Sequence, residues 1–297
     1  MTTPTEVQAP TAVQALTASV RGEVLRLRRW PALWVMLGVF LLLNLTFGYL
    51  FPYLSYRSGG GSFGSEGVPV EKLLADVMPA AVPDAVIQGM PMFGGALMLT
   101  LGALAAGSGY GWGTWKTVFT QGPGRLTAVG GTLVALAGAV VALVVAVFVV
   151  DLGVASLLAT VEGQAIAWPA VGDIGRALGG GVLILGMWTL AGVAVGTLAR
   201  GPALAVGLGL VWVLVVENLL RGVATLLDWL QPVADVFPGT AVGSIAGAVG
   251  ATPASGSDGT PGVVTTLAGG AAVAVTLAYM AAFVLVTGFL VRRRDVI

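Results

Sequence analysis

From the N-terminus onward, long apolar runs alternate with short polar interruptions. A helix needs roughly 20 apolar residues to cross the hydrocarbon core of a bilayer. Six segments reach that length: about Pro31–Leu54, Gly89–Ser108, Leu126–Val150, Ala177–Ala199, Pro202–Leu220 and Leu267–Val291. Ahead of the first, between Thr11 and Arg29, Val13, Leu16, Val20, Val24 and Leu27 recur at helical spacing and form one stripe. Arg26 and Arg29 fall opposite that stripe, and Arg21 and Arg28 lie on its flank. A basic amphipathic helix beside a span is expected to lie in the membrane interface. It serves either as a positively charged anchor or as a contact for a cytosolic partner.

The polar interruptions are uneven. Ser55 to Gln88 opens with the flexible run RSGGGSFGSEG, and a short helix is expected over Glu71–Asp76. Asp228 to Thr266 contains VFPGTAVGSIAGAVGA, which is apolar and glycine-rich, bracketed by prolines and too short to span. It suits a re-entrant or interfacial hairpin before the sixth span, whose backbone would be satisfied by protein or water. The expected organisation is an all-α membrane protein: a disordered cytosolic tail over residues 1–10, an amphipathic interfacial helix over 11–30, and a six-span domain over 31–297. In the fourth span, Gly192 and Gly196 bound a small-xxx-small element, read as intrachain helix packing or as a dimer seam.

Charge fixes the expected orientation. Even span number puts both termini on one side. With that side cytosolic, it receives Arg21, Arg26, Arg28, Arg29, Lys116, Arg125, Arg200 and Arg292 to Arg294, ten basic residues against four on the other face. Only 9% of the 297 residues are charged, against about 25% in soluble domains. The chain has no cysteine and no histidine. This excludes disulfides, thiolate chemistry and imidazole ligation or acid/base work by its own side chains. No residue set suggests a metal site or nucleic-acid binding.

The run GSGYGWGTWKTVFTQGPGR, Gly107 to Arg125, superficially resembles a phosphate-binding loop. It fails as one: Trp115 rather than glycine precedes Lys116-Thr117, and a membrane span rather than a strand comes before it. What remains is a loop between the second and third spans, with a short helix over Gly113–Gln121 whose apolar knobs are Trp112, Trp115, Val118 and Phe119. Gly122-Pro123-Gly124 ends it. The tryptophans are read as an aromatic belt or as a handle for a partner protein. Ionisable and polar groups inside the spans are few. Asp151 is expected to close the third span, Glu217 and Arg221 to pair on one helix face, and Asn44 to make an interhelical hydrogen bond or to touch substrate.

The loop YGWGTWKTVFTQGPGRL resembles the first cytosolic loop of ABC-2 type transporter permeases, the membrane subunits of ATP-driven exporters. The Gly113-Thr114 pair and the Pro123 to Arg125 end match that family's pattern. GEVLRLRRWPALW resembles its interfacial elbow helix, and FLVRRRDVI its usual ending. One departure stands out: where the family often has a glutamate before the loop aromatic, this chain has Gly109. The resemblance implies a non-enzymatic permease in the bacterial cytoplasmic membrane, and the few polar groups within the spans suggest a hydrophobic or amphipathic cargo. Its implied partners are membrane lipid, a second permease copy or paralogue, and separate ATPase subunits that carry ATP and Mg2+. In that reading Tyr110, Trp112 to Lys116, Val118, Phe119, Gln121, Pro123 and Arg125 form the ATPase-coupling loop. The alternative is an integral membrane scaffold or accessory subunit that ATP does not drive.

Overall fold

The computed structural model describes residues 11–60, 67–121, 124–253 and 259–293. Sequence expectations for residues 1–10, Gly122, Pro123 and Arg294, and for the side chain of Gln121, lie outside it. Among the described residues the chain is helical with no β-strand; Pro253 and Thr260 form an isolated bridge. Six helices are long and apolar enough to cross a membrane: Pro31–Arg57, Met90–Gly111, Arg125–Val161, Val171–Ala199, Pro202–Ala224 and Gly269–Arg293, the first to sixth spans. The six expected segments match them in number and place. The third span runs to 37 residues, about 55 Å at 1.5 Å per residue, so it projects well past a hydrocarbon core of about 30 Å.

The second and fourth spans form the centre and are the most buried. They pack backbone to backbone. A Cβ on Gly192 would stand 2.0 Å from the Leu99 carbonyl oxygen, and one on Gly102 would stand 2.2 Å from that of Thr189. Small residues permit such approach, and dispersion between close backbones replaces the hydrophobic drive that lipid removes. The small-xxx-small element is therefore an intrachain seam. The first, fifth and sixth spans surround this pair and expose rows of Val, Leu and Phe.

The two ends of the bundle differ in charge. The basic end carries the N-terminal helix Ala12–Arg29, the loop helix Thr114–Gln121 and the end of the sixth span at Arg293. The acidic end carries Asp76, Asp84, Glu162 and Asp173.

The N-terminal helix starts with a capping box: Thr11 accepts from the Gln14 backbone N–H, and Gln14 accepts from that of Thr11. It packs on the start of the third span, where Ser19 Oγ donates to the Ala128 carbonyl at 3.4 Å. The face used carries Ala15, Ser19, Val20, Glu23, Arg26 and Leu27, so it takes in only two of the five stripe positions. Of the stripe, Leu27 alone is buried; Val13, Leu16 and Val24 are exposed, as suits contact with lipid. Arg26 is also not on the water face as expected. It pairs with Glu23 and reaches the Ala105 carbonyl of the second span at 3.5 Å. Arg21, Arg28 and Arg29 are exposed.

At the acidic end, the short helix expected near Glu71 runs Val70–Asp76. The segment before the sixth span holds a buried helix, Pro238–Val249, packed against the fourth and sixth spans. Its return leg is irregular and tied back by Val264 N–H to the Gly243 carbonyl and Leu267 N–H to Ser244 Oγ.

Candidate functional site

At the basic end, the second span ends at Gly111 and Gly113 turns the chain with a φ of +67°, a conformation glycine adopts at no steric cost. The loop helix then lies across the ends of three spans. Trp115 is only 7% exposed, and its Nε1–H donates to the Ala106 carbonyl of the second span at 3.2 Å. It stacks on Phe119 with centroids 5.1 Å apart and packs with Ala128 and Val129 of the third span and Val291 of the sixth. Tyr110, Val118 and Phe119 close around it. Arg125 sits 5.7 Å from the Phe119 ring and donates to the Val291 carbonyl at 3.5 Å.

This corrects the expectation of four exposed knobs. Three of them face the bundle; Trp112, at 75% exposure, faces out together with Thr114, Lys116 and Thr117. The structure also gives a reason for Gly109. A Cβ there would stand 2.3 Å from Trp115 Nε1, so the indole occupies the space that a side chain at position 109 would need.

The polar groups in the spans are arranged differently from expectation. Asp151 does not close the third span, which continues to Val161. It is fully buried, and its Oδ1 accepts from Asn44 Nδ2 at 2.8 Å. The expected interhelical hydrogen bond of Asn44 thus has a carboxylate as its partner. Glu162 marks the acidic end of the third span instead. It accepts from Tyr53 Oη at 2.7 Å, Tyr56 Oη at 3.1 Å and Arg57 at 3.4 Å, clamping the first span to the third. The Tyr53 hydroxyl first, then that of Tyr56, holds this carboxyl below its ordinary range. Nothing in local spacing identified the clamp, because its partners lie more than a hundred residues apart.

Glu217 and Arg221 do not form the expected ion pair. Glu217 is 1% exposed, and its Oε1 accepts from the Thr240 N–H at 3.0 Å, capping the helix Pro238–Val249. A Cβ on Gly239 would stand 2.4 Å from that oxygen, which explains a glycine at the second position of the capped helix. Arg221 turns instead to the Asn218 side chain. Among the described residues no cluster of three or more His, Cys, Asp or Glu side chains could hold a metal ion.

Compared with protein-family models and with curated proteins, the chain matches none. Its own geometry is that of a multi-pass helical bundle, with a docked aromatic helix at its basic end and a buried polar pair in its interior.

Proposed function

We propose that the chain is the membrane-spanning permease subunit of an ATP-driven exporter of the ABC-2 type, set in a bacterial cytoplasmic membrane with both termini cytosolic. Separate ATPase subunits bind below it and carry ATP and Mg2+, and a second copy or paralogue completes the pathway. The observation that carries this reading is the loop helix Thr114–Gln121. It is keyed by Trp115 into the second, third and sixth spans and presents Trp112 and Lys116 outward. A load applied to such a helix is delivered to three spans at once, because packed interiors transmit displacement rather than absorb it. A loop that only joined two spans would need no such keying. The basic residues gathered at this end favour its placement in the cytosol.

The test is affinity purification from the native host in mild detergent. Wild type is expected to bring down a protein with a phosphate-binding loop. The double substitution Trp112→Glu with Lys116→Glu is expected to lose at least about tenfold of it, while the bundle keeps its thermal midpoint because both side chains are exposed. Recovery of no ATPase with wild type would favour the scaffold reading. Equal recovery with both proteins would remove the coupling role from this helix.

A further inference from the structure

Toward the acidic end, a cavity of about 350 Å³ opens between the first span, the segment before the second span, and the return leg near Thr260. That is within the size range of sites for small organic ligands. Its walls are mostly apolar and include four phenylalanines. Phe47 and Phe93 stack with centroids 6.5 Å apart and planes 3° from parallel, Phe51 meets Phe47 edge-on at 5.3 Å, and Phe40 also lines it. Two stretches of π-helix shape it: Thr46–Leu50 in the first span, and Met90–Gly94, which carries Phe93 and is held by a hydrogen bond from Trp188 Nε1 to the Pro91 carbonyl. Such local widening of a helix recurs at binding sites.

The polar lining consists of Asn44, Lys72, Asp76, Gln88, Thr252 and Thr260, and Thr260 Oγ1 donates to Gln88 Oε1 at 3.5 Å. Asn44 lines the cavity and is oriented from behind: its Nδ2 donates to Asp151 Oδ1, which turns its own Oδ1 away from Asp151. Among the described residues no donor is paired with that oxygen, which leaves it an acceptor for a ligand. At the rim, Lys72 and Asp76 offset each other in sign. Gly48 and Gly89 also form wall, and a Cβ on either would meet nothing within 4 Å, so the space is kept open by the absence of side chains.

We propose that this cavity binds an uncharged amphiphile, with its apolar body among the phenylalanine rings and a hydroxyl or amide N–H donating to Asn44 Oδ1. The part of the cavity walled by phenylalanines offers a bare ionic group no partner to offset its desolvation. An oriented acceptor beside the phenylalanine rings selects a donor-bearing molecule over an isostere that lacks the donor, because an unmade buried hydrogen bond is costly. Naming this ligand as cargo rests on the export reading. The binding itself belongs to the isolated chain and needs no ATPase.

The experiment uses the full chain in phosphatidylcholine nanodiscs and a dodecanol analogue bearing a diazirine. After photolysis, label should concentrate on the peptides spanning Phe40 to Pro52 and Gln88 to Phe93. Dodecanol should compete at about tenfold lower concentration than dodecyl methyl ether, which lacks the donor, a ratio in the range of one hydrogen bond. Gly89→Leu, or Gly48→Leu if the first fails to fold, fills the space and should reduce labelling of those peptides by about tenfold. Label spread evenly over the lipid-facing spans and indifferent to the fillings would overturn the site. Equal competition by alcohol and ether would overturn the role of Asn44. Neither result bears on whether an ATPase co-purifies, so the two readings can fail separately.

Discussion

Asn44 and Asp151 show why single residues in apolar spans repay attention. The sequence marks both as polar intrusions, but they stand 107 positions apart, and no periodicity links residues on different helices. Only packing brings them together. Replacing Asn44 with leucine leaves a buried carboxylate with neither of its oxygens partnered, since Asp151 Oδ2 already lacks one. We expect a loss of about 1–3 kcal/mol, read as a lower thermal midpoint in detergent, and partial recovery when Asp151→Leu is added. An unchanged midpoint in Asn44→Leu would show that the pair contributes nothing. Glu162 makes a pH-dependent contribution whose sign is set by its tyrosine donors. Its folded-state carboxyl is held below the ordinary value near 4.3. The stability it adds is therefore present above that value and is lost as pH falls through the folded one. Acid titration of thermal stability should show this loss below about pH 4, and Glu162→Gln should remove that component of the slope.

At the scale of elements, the loop helix illustrates what periodicity conveys and what it omits. The apolar positions Trp115, Val118 and Phe119, the flanking glycines and the proline made a short helix legible between the second and third spans. Which apolar side chains would face the bundle was not legible, since a helix of eight residues offers too few turns to separate a packed face from an exposed one. The N-terminal helix taught the same lesson from the other side. Its apolar residues do form a stripe, yet the bundle is met chiefly by Ala15, Ser19, Arg26 and Leu27, while Val13, Leu16 and Val24 stay exposed. In a membrane the most apolar face need not be the packed one, because lipid is as apolar as leucine. Trp115→Ala should undock the loop helix, at a local loss of about 3–5 kcal/mol. Limited proteolysis should then cut between Gly111 and Arg125 much faster than in wild type, with the six spans intact; an unchanged rate would contradict the keyed arrangement.

At the scale of the whole molecule, span number and the segregation of charge to two ends were legible because bilayer thickness and the solvation of lysine and arginine impose them on any sequence. The order of packing was not, except at Gly192 and Gly196, where two small residues four apart signalled a close seam. That seam gives a sharp contrast. Gly192→Leu would drive a side chain into the Leu99 carbonyl and should destabilise the bundle by at least about 3 kcal/mol, seen as loss of the monodisperse peak. Gly138→Leu faces open space and should be neutral. Coupling to an ATPase requires the loop helix to face the cytosol. The chain has no cysteine, so single cysteines report position without background. Lys116→Cys and Gln164→Cys lie exposed at the basic and acidic ends. With a membrane-impermeant maleimide on intact cells, Gln164→Cys should be labelled at once and Lys116→Cys only after permeabilisation. Labelling of Lys116→Cys in intact cells would place the helix beyond the reach of any ATPase and would contradict that coupling.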